Sequence, residues 1–292
     1  MKNFEYFTPK NVEEACSLLD RYQEEAKIIA GGQSLLILMK NRLISPKYLI
    51  DIKGISQMDY IIFDKQEGLK VGALTTHRSI ECSSLIQGNY PVLSEMETRL
   101  ASIQIRNWGT VGGNLCHSEP AGDVAPVLIA LKGKVRLRTK GEERIMLLED
   151  FFKDYYESVL KPNELLVEIQ VPKSDYPNGA AYAKLSLREN DMAIGGVAVV
   201  VEIDPPTGIC RDTRIVMSAV GPTPIRAKKA EAEVIGRKKK DISPEAVAQS
   251  AKEEAQPISD SYASEDYKRE MIGVLMKSVL NQAWNKAIGN RY

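Results

Sequence analysis

Apolar positions recur at two periods along the chain, and the switching between them predicts short helices and strands in alternation. Val12, Ala15, Leu18 and Leu19 share a helical face, and Asn11 with Glu14 three positions on resembles a capping box opening that helix. A short apolar strand is predicted over 26–30, then Gly31-Gly32-Gln33-Ser34, then a helix-prone run over 35–43 and a strand over 48–52. Residues 60–63 and 69–73 read as a hairpin around Gly68, and Pro91 suits the first position of a helix running to about Ser102. After a second glycine-rich stretch at 109–114, Asp123 is placed to cap an apolar helix over 124–131, with Pro126 in its tolerant first turn. Strands follow over 135–139 and 164–171.

The stretch 174–179 (SDYPNG) reads as a linker. Beyond it lie three longer strands, over 180–187, 193–203 and 209–220, the last two joined by Pro205-Pro206-Thr207-Gly208. Three helices close the chain; Ser243-Pro244 starts the second. The third starts at Ser264, is expected to bury Met271, Leu275 and Val279, and ends near Gly289. The pattern predicts an α+β chain ending in a three-stranded antiparallel sheet packed on helices.

Composition narrows the function classes. The 292 residues are about two domains' worth, and 39 basic against 39 acidic side chains give no net charge, which disfavours a nucleic-acid binder. The four cysteines stand far apart and only two histidines, His77 and His117, are present, so neither a zinc site nor an iron–sulfur cluster is expected in this chain. The cysteine pattern and the opening MKNFEYF, which lacks an apolar core, point to a reducing cytoplasm without a secretory signal or membrane span.

The candidate chemistry sits in two glycine loops, Ala30-Gly31-Gly32-Gln33-Ser34 and Thr110-Val111-Gly112-Gly113-Asn114. Adjacent glycines let backbone N–H groups converge on an anion, and Ser34, Thr110 and Asn114 add side-chain donors. Neither loop has the lysine of a phosphate-binding Walker loop or the spacing of a dinucleotide fingerprint. One such loop is better explained as a tight turn; two, each flanked by donors, favour a shared phosphate or diphosphate. Asp123 fits either a cap or an acceptor for a cofactor hydroxyl. Lys184 fits either a solvated strand position or a cation beside a flavin ring, and Leu166 fits the core better than a ligand wall.

The ordered set AGGQSLL (30–36), TVGGNLCHSEPAGD (110–123), YAKLSLRENDMA (182–193) and GPTPIRAKKAE (221–231) resembles the FAD-binding medium subunits of molybdenum hydroxylases, the carbon monoxide dehydrogenase and xanthine dehydrogenase group. The resemblance implies a FAD-binding region of the p-cresol methylhydroxylase type over 1–175, in two α+β subdomains of roughly 1–55 and 56–175, then a C-terminal flavoprotein domain over 176–292. Carried over residue by residue, it implies that Ile29, Ala30, Gly31, Gly32, Gln33, Ser34 and Leu35 line the FAD diphosphate, and that Thr110, Gly112, Gly113 and Asn114 complete the cradle. Asp123 would bind the cofactor tail, Leu166 and Lys184 would sit near the flavin, and Ala101 would approach it. Gln33 stands where covalent flavoproteins of the wider superfamily often have histidine, so dissociable FAD is implied. No cysteine lies between Asp123 and Pro172, which disfavours the branch with an extra iron–sulfur cluster there.

The implied role is an electron-transfer oxidoreductase subunit with no catalytic side chain and no metal of its own. A large partner would carry the molybdenum cofactor and a small one [2Fe-2S] clusters, in a heterotrimer or dimer of heterotrimers, with electrons passing through FAD to an external acceptor. Two other readings are a stand-alone flavin oxidoreductase, which needs a proton-abstracting group such as His117, Lys184 or a tyrosine, and a ligand-binding or scaffold protein without flavin.

Overall fold

The computed structural model describes residues 2–289; the outermost positions of the two expected parts, 1 and 290–292, lie outside them. The chain opens with β1 (Glu5–Phe7), α1 (Val12–Tyr22), β2 (Ala26–Ile29), α2 (Leu35–Lys40) and β3 (Tyr48–Asp51). The strands form a small parallel sheet with β3 in the middle. Asn11 caps α1 by accepting from the Glu14 N–H at 2.8 Å. The Glu14 carboxylate reaches back to the N–H of Lys10 rather than of Asn11, so the expected box closes one residue early. The helix expected over 35–43 stops at Lys40, and Arg42 beyond it takes a left-handed φ of 61°.

The second unit holds β4 (Ile61–Asp64), β5 (Gly68–Gly72), α3 (His77–Cys82), α4 (Ser84–Asn89), α5 (Pro91–Glu97), α6 (Ile103–Trp108), α7 (Val111–His117) and α8 (Val124–Ala130). It ends with β6 (Lys134–Arg138), β7 (Glu143–Leu147), the small pair β8 (Phe152–Asp154) and β9 (Glu157–Ser158), and β10 (Leu165–Val171). Five strands pair antiparallel in the order β4-β5-β10-β6-β7, with the expected hairpin as β4 and β5. The helix expected from Pro91 to Ser102 ends at Glu97; Ala101 adopts φ 44°, and Ser102 caps a separate helix, α6. Part of the second glycine stretch, read as a loop, is helical: Thr110 caps α7 by accepting from the Gly113 N–H.

The last unit comprises β11 (Asn178–Leu185), β12 (Gly195–Ile203), β13 (Cys210–Ser218), β14 (Ile225–Arg226), α9 (Lys228–Ala232), α10 (Pro244–Glu254) and α11 (Glu265–Gly289). The three expected strands pair antiparallel in chain order, and the two-residue β14 extends the sheet at the β13 edge. Every residue of β12 is buried because both sheet faces are covered. Val197, Val199 and Val201 pack toward the helices with Val279 and Trp284, whereas Ala198 and Val200 join the core of the preceding unit. In α11 the buried stripe is Ile272, Met276, Val279, Leu280 and Ala283; Met271 and Leu275 are only half-buried. The helix is therefore rotated by about one position from expectation. Its close seat on β11 sets that rotation: a Cβ on Gly179 would lie 2.0 Å from the Ala283 carbonyl oxygen. Among the described residues no helix is long and apolar enough to cross a membrane.

Candidate functional site

The first loop leaves the C-terminal end of β2 and turns into α2. Gly32 supplies the turn with a φ of 70°, a conformation that costs a side-chain-bearing residue. The Gln33 amide nitrogen donates to the Gly31 carbonyl at 2.9 Å and closes the bend. Leu35 and Leu36 anchor the far side against the small cluster of Ile29, Met39 and Leu49. Among the described residues no acceptor faces the backbone N–H groups of Gly32, Gln33, Ser34 and Leu35, and the Ser34 hydroxyl has no partner. These residues are half-buried. Four consecutive backbone donors without acceptors have the chemistry of an anion cradle.

The second loop touches the first. A Cβ on Gly31 would sit 2.0 Å from the Trp108 carbonyl oxygen and 2.8 Å from the Gly109 Cα, so only glycine permits this approach. Gly109 is tied down from behind: its carbonyl accepts from the His77 N–H at 3.0 Å, and its N–H donates to Ile105 at 2.7 Å. Past it, the donors expected for the ligand are largely spent within the protein. Val111 N–H donates to Thr75, Gly112 N–H to Ala73, and the N–H groups of Gly113 and Asn114 to Thr110. A Cβ on Gly112 would lie 2.6 Å from that of Ala73, so this glycine serves packing of α7 on the end of β5. The half-buried Asn114 side-chain amide and the Thr110 N–H have no acceptor among the described residues and are the donors this loop can still offer.

Asp123 and Lys184 meet, although they lie on different units. Asp123 does not cap α8, contrary to one of its two expected uses. Its carboxylate accepts from Lys184 Nζ at 2.7 Å and from the Tyr182 hydroxyl. Lys184 is not a solvated strand residue either, since its side chain is 3% exposed. Burial pushes the Asp123 carboxyl above the usual carboxylate range, against the pull of Lys184 and Tyr182. Burial, then the charge of Asp123, pushes the Tyr182 phenol well up. The cluster pins β11 to the start of α8, and further contacts with a cofactor would have to be made at its edge. Tyr182 was missed from the sequence, although its i, i+2 spacing to Lys184 puts both on one face of the strand.

The remaining expected residues differ in how they are placed. Leu166 is buried on β10 opposite Leu137, so only its main chain could face a ligand. Ala101 is half-buried and left-handed, and Arg106 Nη1 donates to its carbonyl and to that of Leu100, both at 2.8 Å. His117 lies tilted by 50° against Tyr156 with ring centroids 5.4 Å apart, and burial pushes its imidazole down. Burial drives the Cys116 thiol up to about 12.

Two touching loops with unfilled N–H donors, together with the Ser34 hydroxyl and the Asn114 amide, fit a diphosphate held by backbone and neutral groups. The model of the FAD binding domain in molybdopterin dehydrogenase matches residues 2–174, and that of the CO dehydrogenase flavoprotein C-terminal domain matches 180–283. The carbon monoxide dehydrogenase medium chain of Hydrogenophaga pseudoflava is 35% identical, covering 96% of this chain and 97% of that one. Subunit alpha of the 6-hydroxypseudooxynicotine dehydrogenase complex of Paenarthrobacter nicotinovorans is also 35% identical, over 98% and 96%. A solved structure of the Hydrogenophaga pseudoflava enzyme lacking the Mo-pyranopterin moiety superposes with a TM-score of 0.92, covering 98% of each chain at 35% identity.

Proposed function

Because this chain belongs to the family of FAD-binding medium subunits of molybdenum hydroxylases, we propose that it is the FAD-carrying electron-transfer subunit of such an oxidoreductase complex. FAD would supply a carrier that exchanges single electrons with iron–sulfur centres and delivers pairs to an external acceptor. The N–H groups of Gly32 to Leu35, the Ser34 hydroxyl and the Asn114 amide would hold its diphosphate. Glycine at 31 lets the second loop close on the first, and glycine at 113 leaves room for the Thr110 hydroxyl that caps α7, which a Cβ would approach to 2.9 Å. The Asp123–Lys184 pair would fix the last unit against the cofactor's flavin half and keep a cation there. Gln33 has no atom to replace a histidine nitrogen in a flavin bond, and its amide is already used on Gly31, so the FAD is dissociable.

The partners in this reading are a large subunit holding the molybdenum cofactor and a small subunit holding [2Fe-2S] clusters. They assemble in the cytoplasm as a heterotrimer or a dimer of heterotrimers. The observation that carries the reading is the contact of Gly31 with Trp108 and Gly109, which brings two loops distant in sequence together where a shared anion site would need them. Purification from the source tests it: molybdenum, iron and two further chains should accompany this one, and the isolated chain should bind FAD yet oxidise no substrate. A metal-free isolated chain with full turnover contradicts it.

A further inference from the structure

Behind the second loop lies an ionisable pair that the cradle does not use. Glu97, the last residue of α5, is 1% exposed, and His77, the first of α3, is 2% exposed. Glu97 Oε1 lies 3.0 Å from His77 Nδ1. The other carboxyl oxygen, Oε2, is buried without a hydrogen-bond partner among the described residues. Glu97 borders a void of about 10 Å³ whose other walls are apolar: Val71 on β5, Ile86 on α4, Val111 on α7, Leu128 on α8 and Ile169 on β10. A water there would find no second polar group to hold it. The charged groups that act on Glu97 are His77 from α3, Arg106 from α6 and Asp123 ahead of α8.

This environment decides the charge of the pair. With one shared proton the pair is neutral overall, whether that proton sits on the carboxyl or completes an imidazolium, and in both forms Nε2 carries a hydrogen. Without it, an anion would be left in an apolar void beside Asp123, which is the costly state. Burial accordingly pushes the Glu97 carboxyl upward.

The pair also touches the cradle. The His77 N–H holds the Gly109 carbonyl at 3.0 Å. Its ring lies against Gly109, where a Cβ would come within 3.1 Å of Cδ2. Gly109 is in turn the residue pressed on Gly31. Resting on the FAD reading above, we propose that Glu97 and His77 form a proton-holding positioning pair for the cradle. Protonated, the pair seats Gly109 against Gly31 and keeps negative charge away from the diphosphate; deprotonated, it opposes FAD.

The test is FAD titration of the flavin-stripped full chain, followed by flavin fluorescence, between about pH 6 and pH 9. Affinity of the unaltered protein should fall about tenfold or more as pH rises, since its site gains an anion. Glu97→Gln keeps the shape and cannot ionise, so its affinity should change by less than about threefold over the same range. Burial pushes the His117 imidazole down, away from the alkaline end of this range. His77→Gln, which loses the ring against Gly109, should bind more weakly than the unaltered protein even at the low end. A Glu97→Gln profile that follows the unaltered one would overturn the proposal. Nitrogen NMR of His77 in the unaltered protein tests the pair apart from FAD. Nε2 should be protonated at neutral pH, and a bare Nε2 would overturn the pair. Failure to bind FAD at any pH, with Nε2 protonated, would instead count against the FAD reading and against the pair's role at the cradle together.

Discussion

Gly31→Ala perturbs the contact between the two loops by a single methyl group. Its Cβ would lie 2.0 Å from the Trp108 carbonyl oxygen and 2.7 Å from the Trp108 carbonyl carbon, both backbone atoms that cannot swing aside. Ordinary van der Waals contact begins at 3.4 Å, so the loops must separate by about 1.4 Å. A hydrogen bond of about 2.9 Å stretched by that much is lost. If one loop keeps the diphosphate, at least two charge-assisted bonds from the other go, at about 1.5–3 kcal/mol each. FAD affinity should therefore fall by roughly two to four orders of magnitude. The assay is flavin fluorescence quenching with the flavin-stripped chain, beside thermal melting to show that the fold survives. Gly54→Ala is the matched control, because a Cβ there meets nothing within 4 Å. FAD binding by Gly31→Ala within about threefold of the unaltered protein, with an unchanged melting curve, would refute the reasoning.

Further expectations concern the groups around the cradle. Lys184→Met strands the buried Asp123 carboxylate and should cost about 3–5 kcal/mol in urea unfolding. Because burial raises that carboxyl, its stabilising share is whole below the ordinary carboxylate range and is lost as pH climbs through the raised value. The deficit of Lys184→Met should thus widen from about pH 4 to pH 8, and a constant gap would contradict it. Ala101→Gly relieves a left-handed φ of 44° and should leave melting unchanged or raise stability by up to ~1 kcal/mol, whereas Ala101→Val should cost more than ~2 kcal/mol. Thr110→Ala removes the cap of α7 and should cost about 1 kcal/mol, with Thr110→Ser restoring most of it in the same melts. A maleimide should label the exposed Cys82 and spare Cys116, whose thiol burial drives up to about 12; equal labelling would count against that burial.

What was legible in the sequence was carried by local signals. Paired glycines, the Asn11 cap and the alternation over 180–220 act over a few residues, and the structure places strands and turns at those positions. Two features were hidden because they arise only in three dimensions. The break at Ala101 comes between helices and is held by Arg106, whose guanidinium is buried and also bonded to Glu81 at 2.9 Å. The donors of Val111 and Gly112 are consumed by Thr75 and Ala73, residues about 36 and 39 positions away, so a glycine run that reads as an open cradle is in part a packed helix start. Taken singly, Asp123 fits a cap or a cofactor acceptor and Lys184 a solvated position or a cation beside a flavin; their pairing appears only when β11 comes up to the residue ahead of α8. His77 and Glu97 gave no sign of each other, twenty residues apart on two short helices.

The most direct measurement is amide NMR of the full chain during titration with FAD. One equivalent should shift the amides of Gly32, Gln33, Ser34, Leu35 and Thr110 together with the Asn114 side-chain amide, saturating in step with flavin fluorescence. Saturable binding that leaves those six signals in place, while others elsewhere move, would contradict a cradle made of two touching loops.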